Sequence, residues 1–130
     1  MEMLSELERA VLEKFVEGDD PVLLTLRKQL EGVSVRERRL TGVGFLTRLM
    51  LRPDAPRAIL PTRQVRLVDV DADVDGLEHG AGFVLHIEDG KIDTLEGYTY
   101  ADDRWPAIGS RFRLRYSTDG PRDLSRLRIQ

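Results

Sequence analysis

The feature that most restricts what this chain can fold into is the stretch Phe83–Ile87, Glu88-Asp89-Gly90-Lys91, Ile92–Tyr100. Two β-rich runs separated by Asp-Gly predict a tight hairpin, because a two-residue turn that matches strand twist needs positive φ at both central positions. That turn sets a register in which Glu88 faces Lys91, Ile87 faces Ile92, His86 faces Asp93 and Val84 faces Leu95. It also puts Glu96 opposite Phe83, so that if this face is the buried one Glu96 is a buried carboxylate with a shifted pKa. Around the hairpin, Val68, Val70, Ala72 and Val74 alternate with Asp69, Asp71, Asp73 and Asp75, and Phe112, Leu114 and Tyr116 alternate with Arg111, Arg113 and Arg115. Period-two alternation of this kind marks strands with one face in the core.

The N-terminal part has a different period. Ser5 with Glu8 forms a capping box before the stripe Leu7, Val11, Phe15, and Asp20-Pro21 starts a second helix carrying Val22, Leu23, Leu26 and Leu30. Residues 33–40 and 43–51 then alternate as two strands, the first a polar or edge strand. Pro53, Pro56 and Pro61 make 52–63 an irregular loop. Helices followed by strands argue α+β: an N-terminal helical hairpin packed on one face of an antiparallel sheet of about five or six strands. Residues 1–116 form the single domain, and 117–130 are expected to be a polar, loosely ordered tail anchored at most by Leu124, Leu127 and Ile129.

With 130 residues and no cysteine, the chain supports one core without disulfides or thiolate metal sites. The acidic, amphipathic start lacks the pattern of a secretory signal, and no apolar run approaches the ~20 residues of a membrane span, so the expectation is a cytoplasmic protein with no membrane contact. The 17 arginines against 3 lysines suggest a GC-rich bacterial genome. The net charge of -3 is segregated: residues 1–20 carry -5, 21–66 carry +7, 67–103 carry -10 and 104–130 carry +5. Such alternation predicts compensation between neighbouring elements, and together with the absence of aromatic interleaving among Arg36, Arg38, Arg39, Arg48, Arg52 and Arg57 it argues against nucleic-acid binding.

Several motifs fail on spacing. Asp71-Ala72-Asp73-Val74-Asp75-Gly76 matches the first half of a calcium loop, but position twelve is Gly82 instead of Glu, so no metal is expected. Gly76, Gly80 and Gly82 precede a strand, where a nucleotide fingerprint would precede a helix, so no cofactor is expected. His79 and His86 are the only histidines. His86 with Asp93, or His79 with Glu78, are the acid-base candidates of a small hydrolase or isomerase, but no nucleophile accompanies them. Tyr98, Tyr100 and Trp105 place amphipathic rings near one end of the hairpin, where such rings serve equally as recognition anchors or as core.

The segments Gly76-Leu77-Glu78-His79-Gly80-Ala81-Gly82-Phe83-Val84-Leu85, Ile87-Glu88-Asp89-Gly90, Leu95-Glu96-Gly97-Tyr98-Thr99-Tyr100 and Trp105-Pro106 resemble a group of small, uncharacterised bacterial proteins. The likeness covers most of residues 4–116 and implies no activity; it marks this segment as the organising element. The reading that follows is a non-enzymatic protein-binding module, immunity-like by analogy of size and class, contacting another protein through Glu78, His79, Tyr98, Tyr100 and Trp105. The alternatives are the histidine-carboxylate enzyme and a structural domain that self-associates as a homodimer through a sheet edge.

Overall fold

The computed structural model describes residues 2–106 and 109–128. Two helices, α1 (Glu6–Phe15) and α2 (Pro21–Gln29), precede six strands: β1 (Ser34–Leu40), β2 (Gly44–Met50), β3 (Gln64–Val74), β4 (Ala81–Glu88), β5 (Lys91–Thr99) and β6 (Phe112–Tyr116). All strand pairs are antiparallel in one sheet of order β1-β2-β5-β4-β3-β6, an α+β arrangement with the hairpin at its centre. None of the described helices is long and apolar enough to cross a membrane.

The hairpin turn forms as its sequence dictates, with Asp89 at φ 52° and Gly90 at φ 77°, and Glu88 pairs with Lys91 and Ile87 with Ile92. Beyond that the expected register fails, because a bulge between His86 and Ile87 takes Asp93 out of the ladder. His86 therefore faces Thr94, Leu85 faces Leu95, and Glu96 faces Val84 in place of Phe83. A second bulge, between Leu67 and Val70, leaves Val68 45% exposed although alternation predicts it buried. A third, between Val35 and Glu37, sets Arg38 opposite the buried Thr47.

Buried residues of α1 (Val11, Leu12, Phe15), α2 (Leu23, Leu26) and the sheet (Phe45, Leu67, Val70, Phe83, Leu85, Leu95) form one apolar cluster. Two buried polar residues tie the helices to the strands. The capping-box carboxylate of Glu8, 2% exposed, receives the Ser5 N–H at 2.7 Å, the Arg38 guanidinium at 2.5 and 2.9 Å, and the Thr47 hydroxyl. Gln29, fully buried, donates through Nε2 to the carbonyls of Pro56 and Gly90 at 2.7 and 2.8 Å and accepts the Ile92 N–H at 2.9 Å. The 52–63 loop is thereby held under the hairpin turn, with Ala58 N–H also donating to the Gly90 carbonyl.

The tail is not loose. Arg122 forks onto Asp69 at 2.8 and 3.0 Å and donates to the Phe15 carbonyl at the end of α1, Leu127 is 2% exposed in the core, and Arg128 pairs with Asp20. Arginines placed to cap helix ends and pair with strand carboxylates dock a segment that composition alone marks as polar. Ile129 lies outside the described residues.

Burial by itself would raise the Glu8 pKa, but the hydrogen bonds from Arg38, Ser5 and Thr47, with the Arg38 charge, together lower it. A lowered folded-state pKa contributes stability above the unfolded value that is lost as pH falls through the folded one. Glu8→Gln is expected to cost about 3 kcal/mol near neutral pH and progressively less as pH falls below the ordinary carboxylate range, where the stability that the lowered pKa gives the wild type is lost; urea denaturation at neutral and acid pH checks this. Gln29→Met, which strands the Ile92 N–H in the core, is expected to cost about 2 kcal/mol in the same assay and to leave the apolar packing intact.

Candidate functional site

The sheet has a second face that takes no part in the core. Because side chains alternate along a strand, the residues between the buried ones project there. Across β2, β5, β4, β3 and β6 one row reads Gly44, Tyr98, Gly82, Asp71, Arg115. The next row reads Arg39, Leu46, Glu96, Val84, and a third reads Glu37, Arg48, Thr94, His86, Arg66. Leu46, Val84, Tyr98 and Tyr100 are all half-buried, and none belongs to the core cluster. An apolar and aromatic centre thus lies among half-exposed polar groups and exposed arginines.

Tyr98 and Tyr100 pack edge to face with ring centroids 5.5 Å apart, and they lie down on the sheet because Gly82 leaves room beneath them. A Cβ at Gly82 would come within 2.6 Å of both hydroxyls. The Tyr100 hydroxyl donates to Asp71 Oδ1 at 2.9 Å. Burial first, then the Asp71 acceptor and the neighbouring Tyr98, hold the Tyr100 phenol well above its ordinary pKa. Asp71 is thus occupied by a tyrosine, and Asp73 pairs with Arg115 at 2.9 Å. The acidic half-loop is part of a strand compensated by its neighbours, and no group of three or more metal-ligating side chains exists among the described residues.

His86 does not meet Asp93. Its Nε2 lies 3.1 Å from Glu96 Oε1, diagonally across the hairpin, while Asp93, in the bulge, accepts from the Thr94 hydroxyl at 2.8 Å. The sequence signal that could have found this pair is Glu96 itself, once the bulge shifts it from the core face to the open one. Both partners are about one-third exposed. Neither histidine borders the open cleft of about 680 Å³ beside Arg66 and Arg126, or the smaller cleft between Lys28 and Asp54. Glu78 and His79 stand exposed in the β3–β4 turn, whose Gly80 carbonyl accepts the Tyr100 N–H at 3.2 Å.

Trp105 is separated from the tyrosines. It packs in the core layer against Phe45 and Phe83, with centroids 5.1 and 6.4 Å away. Gly97 makes this possible by leaving Phe45 the space that a Cβ would take, 2.3 Å from the ring. Of the five residues expected to form one surface, Tyr98 and Tyr100 are joined on the open face, Glu78 and His79 lie in the turn at its end, and Trp105 is removed from it. Comparison with protein-family models, curated proteins and solved structures finds no match to this chain.

Asp71→Asn takes a negative charge from beside the Tyr100 hydroxyl, so that phenol is expected to titrate at lower pH, nearer its ordinary value of about 10. The shift is read by ultraviolet absorbance during alkaline titration of the folded variant against the wild type.

Proposed function

We propose that the chain is a non-enzymatic module that binds another protein through the open sheet face. The observation that carries this is the half-buried cluster Leu46, Val84, Tyr98 and Tyr100 lying outside the core, with His86, Glu96 and the arginines around it. Apolar and aromatic side chains with polar tips, rimmed by charge, make a surface suited to protein recognition. The tyrosines are already held in place by Gly82 and Asp71, which lowers the ordering cost of a contact. His86 and Glu96 border neither of the two clefts, and the Thr94 hydroxyl opposite His86 is engaged on Asp93, which gives a hydrolase or isomerase little to work with. Trp105 drops out of the surface, and Glu78 and His79 contribute from its margin.

The finer architecture belongs to the same reading. α1 and α2 act as a hairpin laid over the opposite face, supported by the Glu8 and Gln29 contacts, so that one face is covered and the other free. A bacterial, cytoplasmic setting and an immunity-like role are consistent with that division.

The test is a pull-down from native-host lysate comparing the wild type with Tyr98→Ala and Leu46→Glu, each first shown by circular dichroism and thermal melting to be folded. The expected result is a partner held by the wild type and weakened at least about tenfold by each variant, as for truncation of an interface anchor. A partner retained equally by both variants, or none held by the wild type, would overturn the assignment.

A further inference from the structure

β6 covers only part of the strand it borders. β3 runs from Gln64 to Val74, yet β6 pairs with it only from Val70 to Val74, and the chain turns away after the Ser117 N–H reaches the Asp69 carbonyl. The segment Gln64–Leu67 has β4 on one side and, among the described residues, no strand on the other.

In an antiparallel ladder successive residues turn their N–H and C=O to opposite sides. The Arg63 carbonyl accepts from Asp89 on the β4 side, so Gln64 and Arg66 turn outward. Their carbonyls are capped by side chains: Thr62 Oγ1 donates to Gln64 at 2.8 Å and Arg126 Nη1 to Arg66 at 3.2 Å. Each cap is a single hydrogen bond from an exposed residue, which an incoming strand can replace. Alongside runs the open cleft of about 680 Å³, bordered by Thr62, Gln64, Arg66, Ser125, Arg126 and Arg128, with no carboxylate in its lining among the described residues. Arg128 already pairs with Asp20, whereas Arg66 makes no ion pair among the described residues.

We infer that this cleft takes an extended, acidic peptide segment of another protein, added to the sheet as a strand beside Gln64–Leu67. The outward N–H and C=O groups of Gln64 and Arg66 supply the ladder, and the arginines recognise carboxylates projecting from alternate positions. A second copy is a poorer occupant, since pairing this edge with itself sets Arg66 and Arg126 against their own copies. A nucleic acid answers the charge but not the alternating donors and acceptors of a strand edge. The site shares Arg66 with the rim of the open face, but its strand edge and cleft include neither Tyr98 nor Tyr100, and neither reading depends on the other.

The probe is a fluorescein-labelled hexapeptide of alternating Glu and Val, followed by anisotropy against the full chain. Saturable binding is expected, weakened about fivefold by Arg66→Gln, the scale of one ion pair. N-methylating one alternate set of the peptide's amides is expected to abolish binding and methylating the other set to spare it. Gln64→Pro removes an outward N–H without changing charge and is expected to weaken binding, where Gln64→Ala does not. If Gln64→Pro fails to fold, hydrogen exchange on the wild type decides, with slowing expected at the Gln64 and Arg66 amides on peptide addition. No saturable binding, indifference to both methylation patterns, no slowing at those amides, or tighter binding of a single-stranded oligonucleotide of equal charge would overturn the inference.

Discussion

The contacts made by Glu8 and Gln29 fix how the rest of the molecule is arranged. Apolar burial supplies most of the driving force for folding, but it is non-directional and tolerates several packings of the same faces. Buried hydrogen-bonding groups are less forgiving, because each must meet its partner or forfeit its solvation. Glu8 ties the first turn of α1 to Arg38 of β1 and Thr47 of β2, and Gln29 ties the end of α2 to the turn and first strand of the central hairpin. With both ends of the helical segment indexed to particular strands, the residues on the far face of the sheet are fixed as well.

Much of this was legible in the residues and the remainder was not, for one recurring reason. Helix starts at Ser5 and Asp20, the hairpin turn at Asp89-Gly90 and the alternation of β6 follow from local chemistry, and they stand where that chemistry puts them. Alternation fails wherever a strand carries an extra residue, since one inserted residue reverses every side chain beyond it. The bulges in β1, β3 and the central hairpin account for Arg38 beside Glu8, Val68 in solvent, and His86 with Glu96 in place of Asp93. Nothing in a period-two pattern marks them. Trp105 illustrates a second limit: its packing on Phe45 depends on Gly97, far from Phe45 in sequence, having no side chain.

The bulges also make the candidate surface. Without the shift in the hairpin, Glu96 would project into the apolar layer that holds Phe83, where an unpaired carboxylate is costly. With it, Glu96 joins His86 on the open face between Leu46 and Val84. A departure from regular pairing therefore separates polar from apolar side chains across the thickness of the sheet. The same logic places the tyrosines, since Gly82 gives them a floor on the open side while Gly97 gives Phe45 one on the core side.

The segregated charge resolves in the same terms. The acidic N-terminal block meets the basic one through Glu2 and Glu8 on Arg38, and the acidic strand β3 meets the basic C-terminal block through Asp73 with Arg115 and Asp69 with Arg122. Asp20 with Arg128 links the two ends of the chain. Most of these pairs join elements adjacent in space, so the sign alternation along the sequence is largely spent inside the fold. What is left over is uneven. Arg48 and Arg66 carry no ion pair among the described residues, and they flank Thr94 and His86 in one row across the open face. A chain of negative net charge thus presents unneutralised arginine on the side its core does not use, and that local surplus, more than the total of -3, sets which partner surfaces the face can meet without repulsion.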